Sequence, residues 1–353
     1  MTARPYAQLT DAGKARRHRA TAHAAAGAYG LDIVRLRQLQ VDTNFLFQLL
    51  DSSGSRYALR IQRPGLHATQ DTELELWWLQ QLANDGLPVP RIVPLPDGQS
   101  SVVVDDIDGV GGPHRCVMFE WLDGVEPDEN DPSFWSAIGH LAAQLHANSA
   151  KRSIPSSMPQ RRWDSVCNYE PAVLFDPQYQ HLLSAEKWQL LRSAYVHLDD
   201  HLAKRYETAD DAPPMLLHGD LHSGNVLRSR GRLSVLDFED VIVGHPHHDL
   251  AILLYGPFYN SPSFDDVLVN VRCGYEQVRP WPISDQQDLR PLFAARALGM
   301  INFCIARDET FRDFVPVLAD RVIRYLSDAQ PISAPTSRSK PASASGSITL
   351  VSP

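Results

Sequence analysis

The residues best able to do chemistry follow the short apolar run Met215–Leu217. Asp220 is followed five positions later by Asn225, within a stretch rich in turn-forming residues. A carboxylate in such a loop can accept the proton of an attacking hydroxyl, and an amide oxygen can coordinate magnesium. The next predicted strand, 233–238, contains Asp237, a further hard oxygen ligand that would hold magnesium against β- and γ-phosphates. A hairpin between Asn225 and Asp237 would bring both ligands to one end.

The run 217–237 resembles the catalytic and metal-binding loops of the aminoglycoside phosphotransferase and choline kinase-like superfamily. There, His-Gly-Asp is followed by asparagine and then by a strand that ends in aspartate, as it is in this chain. The run is also similar to the homoserine kinases and stress-response kinases of that superfamily. The resemblance implies that Asp220 is the catalytic base, that Asn225 and Asp237 bind the metal and that His218 supports the loop. It also implies that ATP and Mg²⁺ are the cofactors.

The resemblance implies an α+β, protein kinase-like bilobal fold, with a small antiparallel β N-terminal lobe and a larger, mainly helical C-terminal lobe. Alternating strand-like runs give way to helical patterns after Gly124, in agreement with it. We predict an exposed N-terminal helical extension (1–30), a nucleotide-binding lobe with its hinge (31–122) and a catalytic and acceptor-binding lobe (123–328). The serine-, proline- and alanine-rich tail (329–353) is predicted to be disordered.

The N-terminal lobe should supply a cation for the phosphates. In the predicted strand 57–61, alternation places Ala58 and Arg60 on one face. Ala58 would leave room for adenine, and Arg60 occupies the place where the superfamily carries a lysine. The resemblance also implies that an acid on the following helix pairs with Arg60 and directs it. Counting back from the Gly-Leu-Pro-Val-Pro run, as in the superfamily, makes Glu75 that acid, and Glu73 is the competing candidate.

Two further nucleotide contacts are implied by the resemblance. Backbone amides around Thr43 and Asn44, in the first hairpin, could meet phosphate oxygens. The strand 117–122 resembles the hinge, where backbone groups of Glu120 and Leu122 would bond adenine. An ordinary buried strand would have much the same sequence.

The composition excludes some classes of protein. With 33 lysines and arginines against 42 acids, the net charge of −9 argues against binding a nucleic-acid backbone. The four cysteines lie far apart, as is typical of a protein from a reducing compartment, and we expect a cytoplasmic protein. No segment has the pattern of a signal peptide or the unbroken apolar length of a membrane span, so no membrane partner is expected.

A histidine cluster offers an alternative chemistry. His245, His247 and His248 could serve as nitrogen ligands of a metallohydrolase, but their spacing matches no common zinc pattern. Asp249 follows them and resembles the start of the superfamily's helix after the metal loop. It is therefore predicted to cap that helix or to brace the catalytic loop.

The acceptor is constrained only in class. The link between Asp237 and Asp249 is short, which favours a small hydroxylated acceptor over a peptide. We expect it to bind between the segment 127–206 and the helices after Phe264. A protein kinase of the stress-response type is the alternative, because such kinases have a similarly short link. A nucleotide-binding module without turnover is the alternative from another class, favoured by Arg60 in place of lysine.

Overall fold

The structure, a computed structural model, describes most of the chain. The described residues are 5–41, 44–63, 68–105, 107, 112–158, 161–168, 171–208, 213–307 and 309–328. Thr43 and the predicted tail (329–353) lie outside these ranges, and what the sequence predicts for both stays a prediction.

The N-terminal lobe is a five-stranded antiparallel sheet with the strand order β1-β2-β3-β5-β4. Its strands are β1 (Ile33–Val41), β2 (Asn44–Asp51), β3 (Arg56–Gln62), β4 (Val102–Val104) and β5 (His114–Glu120). The predicted hairpin turn after β2 is confirmed: Asp51 accepts backbone N–H groups from Ser53 and Ser55, and Gly54 has φ 87°. This turn sets the register that carries Arg60 on β3.

The first helix, α1 (Asp11–Ala28), is not exposed as the sequence suggested. Ala22, Ala25 and Ala26 are buried in one cluster with Leu59 and other side chains of the sheet. Small side chains at this helical spacing let the helix approach the sheet closely, yet they produce little apolar signal in a sequence. This helix covers one face of the sheet.

The second helix, α2 (Thr69–Asn84), joins the two lobes. Its buried face contributes Leu74 and Trp78 to the same apolar cluster as the core of the C-terminal lobe. The Trp78 indole N–H donates to the Asn148 side chain at 3.2 Å, and its ring lies 5.6 Å from that of Phe238. These contacts fix α2, including the buried residues near its start, against the C-terminal lobe.

The C-terminal lobe is mainly helical, as predicted. Its helices are α3 (Pro132–Ser149), α4 (Ala185–Thr208), α5 (Pro246–Asn260), α6 (Phe264–Tyr275), α7 (Leu289–Ala306), α8 (Glu309–Arg312) and α9 (Val315–Asp328). Two short antiparallel ladders pair β6 (Met215–Leu217) with β9 (Ile242–Gly244) and β7 (Val226–Ser229) with β8 (Arg232–Val235). The second ladder is the predicted hairpin, and the pairing of the first was not apparent from the sequence.

Within the described part of the chain, one helix is long and apolar enough to cross a membrane by length and composition alone. It spans Gln286–Ala306, and most of it is buried inside the protein. A core helix has the same composition, and here α7 packs against α4, α5 and α9.

Helices α3 and α6 cross at two glycines. A Cβ atom on Gly139 would lie 2.1 Å from the Val271 carbonyl oxygen, and one on Gly274 would lie 1.8 Å from that of Ser136. Both contacts are with backbone atoms, which a side-chain rotation cannot relieve. The two helices therefore touch backbone to backbone.

Gly274→Ala should destabilise the protein, because the added methyl group must push α3 and α6 apart. Overpacking of this kind typically lowers the free energy of unfolding by about 1–3 kcal/mol. Urea denaturation followed by circular dichroism would measure it. Gly27→Ala is the matched control: its methyl group meets nothing within 4 Å, so it should leave stability unchanged or increase it by up to about 1 kcal/mol. Equal losses in both variants would contradict this packing.

Candidate active site

The loop after β6 is shaped by a glycine and a histidine. Gly219 has φ 85°, a conformation that few other residues adopt without strain, and it turns the chain so that Asp220 follows at once. The His218 ring accepts the Asp220 N–H at Nδ1 (3.2 Å) and donates from Nε2 to the Leu236 carbonyl (2.8 Å). Burial lowers the pKa of His218, in keeping with this neutral form. His218 thus links the Asp220 loop to the segment that carries Asp237.

Asp249, at the start of α5, braces the same loop from behind. Its buried carboxylate accepts the backbone N–H groups of His218 and Gly219, each at 2.9 Å. It also meets His146 Nε2 at 3.1 Å, and His146 Nδ1 lies 2.9 Å from the Tyr275 hydroxyl. Burial raises the pKa of Asp249, but the hydrogen bond and charge of His146 outweigh it and lower the pKa below its ordinary value.

Asp220 has three neighbours that fix its carboxylate. Asn225 Nδ2 donates to the Asp220 carbonyl (2.9 Å) and to Oδ2 (3.2 Å), and His222 Nε2 lies 3.3 Å from Oδ2. Arg296, on α7, binds Oδ1. Burial raises the pKa of Asp220, but the charge of Arg296 beside it lowers the pKa well below its usual range. Asp220 is therefore held as a carboxylate.

Arg296 was missed by the sequence reasoning. It lies on a helix 76 residues further along the chain from Asp220, and no local motif connects the two residues. Only the packing of α7 in the C-terminal lobe brings it to Asp220.

The hairpin brings the two predicted metal ligands together. The Leu236 N–H donates to the Asn225 carbonyl at 2.8 Å, so Asp237 lies beside the loop that carries Asn225. Asp237 has φ 58°, uncommon for a residue with a side chain. Burial and the nearby Glu239 carboxylate raise the pKa of Asp237 well above its ordinary value, and Arg60 opposes them only in part.

These groups fit a hard divalent cation. The Asn225 amide nitrogen is held by Asp220, which leaves the amide oxygen and the Asp237 carboxylate as oxygen donors. The described residues contain no group of three or more His, Cys, Asp or Glu side chains that could hold a metal by themselves. Magnesium usually binds one or two protein oxygens together with substrate phosphates, which suits this sparse set.

Arg60 pairs with the predicted acid. Its NH1 and NH2 donate to Glu75 Oε1 at 2.8 Å and Oε2 at 2.6 Å, and both side chains are buried. Glu73, the competing candidate, is exposed. Two parallel charged hydrogen bonds of this kind fix the direction of the guanidinium. The Arg60 guanidinium also lies over the Phe119 ring, 5.5 Å from its centroid.

A second acid, Glu239, lies beside Arg60 and extends this ion pair toward the predicted metal site. Glu239 Oε2 lies 3.9 Å from Arg60 NH1 and accepts a hydrogen bond from the Asn44 side chain. The sequence reasoning used Asn44 only for its backbone amide and gave Glu239 no role. Its one signal was its position two residues after Asp237.

The residues predicted to contact adenine lie on β3, at the end of β5 and just after β5. Ala58 is partly buried on the same face of β3 as Arg60, opposite to Leu59. The Glu120 N–H donates to the Arg91 carbonyl at 2.8 Å, on the side of β5 away from β3. Leu122 follows, partly buried, between the lobes. Their roles toward adenine remain predictions.

A cavity of about 970 Å³ opens beside the loop that carries Asp220 and Asn225. It is lined by His222, Ser223 and Arg296 on one side, by the ends of α5 and α6, and by α9. The segment that leads into α3 closes it. We call this space the acceptor-side cavity, because it lies next to Asp220 on the C-terminal lobe.

The histidine cluster is explained by structural contacts. His247 Nε2 accepts the Arg205 Nε–H at 2.7 Å, and His248 Nδ1 accepts the His245 N–H at 3.1 Å. The His248 ring stacks on Trp163, with centroids 4.6 Å apart. Burial lowers the pKa of His247 well below its ordinary value and lowers the pKa of His248 to about 3.

Stability should fall in mild acid because of these histidines. In the unfolded chain His248 would take up a proton near pH 6.5, but in the folded protein only near pH 3. Between these values the unfolded state binds more protons, so the free energy of unfolding decreases as the pH falls. Chemical denaturation at pH 7 and pH 5 would measure the difference. His248→Phe keeps a ring against Trp163 and should reduce the difference, whereas exposed His197→Gln should not.

Arg60→Lys should weaken the ion pair, because a lysine cannot reproduce the two parallel hydrogen bonds to Glu75. We expect the free energy of unfolding to fall by about 1–3 kcal/mol and the KM for ATP to rise. Arg56→Lys, on the same strand, is the control: its pair with Asp123 lies on the surface, and a change within about 0.5 kcal/mol is expected. Unaltered stability and KM in Arg60→Lys would show that the pair is dispensable.

Comparisons with known proteins agree with this geometry. The profile of the phosphotransferase enzyme family matches residues 33–281. The chain is similar to amicoumacin kinase of Bacillus subtilis (strain 168), 25% identical over 259 residues that cover 69% of each protein. It is also similar to stress response kinase A of Salmonella typhi, 24% identical over 264 residues that cover 75% of each.

The fold is that of a solved amicoumacin kinase in complex with AMP-PNP, Ca²⁺ and Ami. The two structures superpose with a TM-score of 0.71 at 18% identity, over 89% of this chain and 96% of that one. The predicted protein kinase-like fold is confirmed by this likeness. With a family profile that matches most of its length, the chain belongs to the phosphotransferase enzyme family and is a kinase of the protein kinase-like fold.

Proposed function

We propose that the protein transfers the γ-phosphoryl group of ATP, with Mg²⁺, to a hydroxyl group of a small molecule. Acceptors of the aminoglycoside, amino alcohol, homoserine and sugar types belong to this class. One observation carries the proposal: Arg296 both lines the acceptor-side cavity and binds Asp220, whose loop also holds Asn225 next to Asp237. Acceptor space, base and metal ligands therefore meet at a single loop.

These positions support the following transfer. The acceptor oxygen forms a bond to the γ-phosphorus, and the bond from that phosphorus to the oxygen that bridges to the β-phosphate breaks. The hydroxyl proton passes to Asp220, and ADP leaves. Asn225 and Asp237 would hold Mg²⁺, which would supply positive charge against the charge that develops on the transferred group.

The N-terminal lobe would hold the nucleotide. Arg60, directed by Glu75, would contact the phosphates, and the backbone at Asn44 would lie above them. Adenine would lie against Ala58, bonded by the backbone of the hinge (120–122). The solved amicoumacin kinase contains AMP-PNP and Ca²⁺, which supports a nucleotide and a divalent cation in this fold.

The proposed acceptor class rests on the short stretch of chain between Asp237 and α5. This stretch has no long segment that could hold a peptide. The similarity to a protein named amicoumacin kinase also supports a small acceptor. A screen of ADP release across aminoglycosides, amino alcohols, homoserine and sugars would identify the acceptor.

The four described cysteines are all free, so we also propose a reducing compartment such as the cytoplasm.

A protein kinase of the stress-response type is the second candidate, since stress response kinase A is a relative. Incubation with a cell extract and γ-labelled ATP separates the two: label in protein bands favours it, and label confined to small molecules excludes it. The non-catalytic nucleotide-binding module would be excluded by any Mg²⁺-dependent ATP consumption that requires an acceptor.

Asp220→Asn should lower kcat by about 10²–10⁴, the usual contribution of a general base, because the amide cannot take the hydroxyl proton. The Kd for AMP-PNP should change little, since Asp220 lies on the acceptor side. Steady-state ADP release and calorimetric titration would measure the two quantities. Asp200→Asn, a surface residue paired with Lys204, should leave both unchanged. A kcat equal to that of the unaltered enzyme in Asp220→Asn would refute the assigned role.

A further inference from the structure

Two arginine side chains line the acceptor-side cavity. Arg296 projects from α7 and Arg321 from α9, and both line the cavity together with Tyr255 and Tyr259 of α5. Burial raises the pKa of the Tyr255 hydroxyl, and the charges of Arg321 and Arg296 with a hydrogen bond from Arg321 oppose this only in part. Both arginines therefore lie near this hydroxyl.

Arg321 is held in place by uncharged groups. Its guanidinium carbon lies 4.5 Å from the Tyr259 ring centroid and 5.1 Å from that of Tyr255. Its NH2 lies 3.4 Å from the Asn260 side-chain oxygen. Across the residues that the structure describes, no carboxylate lies within 4.0 Å of Arg321.

Such an arrangement favours an anion. Two like charges that line one cavity repel each other, and an anion bound between them would relieve that repulsion. Arg296 has the Asp220 carboxylate as a partner, whereas Arg321 is surrounded by two tyrosine rings, the Tyr255 hydroxyl and the Asn260 amide, none of which is a carboxylate. A planar guanidinium fixed by stacking presents its donors in the geometry that matches a carboxylate.

The cavity is also lined by exposed groups of the other sign. Glu126, Glu129 and Asp266 are exposed on its edge, and Glu129 accepts a hydrogen bond from Ser223 of the catalytic loop. A ligand with an anionic end toward α9 and a polar or cationic end toward these acids would match both. A uniformly cationic ligand would match the acids but would meet Arg321 and Arg296 within.

We propose that this enzyme phosphorylates a hydroxy carboxylic acid, whose carboxylate is bound by Arg321 while its hydroxyl reaches Asp220. The proposal rests on the proposed function, since it names the acceptor class of the same site. Arg321 is then a specificity-determining residue. Arg296, which touches both the cavity and Asp220, positions the base relative to the bound acid.

Calorimetric titration of the enzyme saturated with Mg²⁺ and AMP-PNP tests this without turnover. The probes are two hydroxy acids and their neutral amides: L-homoserine with L-homoserinamide, and D-glycerate with D-glyceramide. At least one acid should bind, with its amide weaker by about tenfold or more, since loss of a charged partner is worth at least that factor. Equal binding of acid and amide, or no binding of either acid, would overturn the proposal.

Arg321→Gln should abolish the preference for the acid, and Arg321→Lys, which keeps the charge but not the fork, should retain part of it. Arg324→Gln is the matched control: it removes the same charge from the same helix, is exposed and does not line the cavity. The Kd for AMP-PNP, measured in each variant, verifies that the protein is folded. An acid preference in Arg321→Gln equal to that of the unaltered enzyme would also overturn the proposal.

The two levels of inference fail differently. Arg321-dependent binding of an acid without any ADP release would contradict the proposed phosphotransfer and leave the carboxylate site standing. ADP release with amino alcohols or aminoglycosides that is insensitive to Arg321→Gln would support the phosphotransfer and refute the carboxylate site.

Discussion

The catalytic loop depends on one buried carboxylate. Asp249 is fully buried and remains charged because two backbone N–H groups and the His146 ring bind it. The N–H groups belong to His218 and Gly219, so the same contacts that satisfy the charge fix the chain just before Asp220. His146 comes from α3, which is held backbone to backbone against α6 by its glycine contacts. Helix packing at a distance from Asp220 thus helps to set the direction of the loop that carries it.

A second set of charges connects the two lobes. Arg60 of β3 pairs with Glu75 of α2 and approaches Glu239. Glu239 in turn accepts a hydrogen bond from the side chain of Asn44, at the start of β2. Arg161 donates to the Glu239 carbonyl at 2.9 Å and adds a contact with the start of α2. Because the carboxylates outnumber the cations here, a bound divalent ion would relieve repulsion among them.

Sequence reasoning reached the parts of the site that are local in the chain. Asn225 and Asp237 flank a hairpin whose turn and strands can be recognised from spacing alone, and Asp220 lies in the loop before it. Strand alternation put Ala58 and Arg60 on one face, whereas the pairing of Arg60 with Glu75 was implied by the resemblance, and the structure brings these two side chains together. Arg296 and the wall of the acceptor-side cavity could not be found this way, because they belong to helices separated from the loop by long stretches of sequence. The burial of α1 was also missed, because alanines carry too weak a signal.

The sequence by itself determined which polar groups lie close together in the chain: Asn225 and Asp237 at the two ends of one hairpin, and Asp220 in the loop before it. It also determined that Ala58 and Arg60 share one face of their strand, since alternation along a strand follows from backbone geometry. Only the tertiary structure decided what surrounds these groups. Helices distant in the chain pack by the shape of their faces, and this packing put Arg296 on Asp220 and Arg321 in the adjoining cavity. No short-range pattern encodes such a meeting.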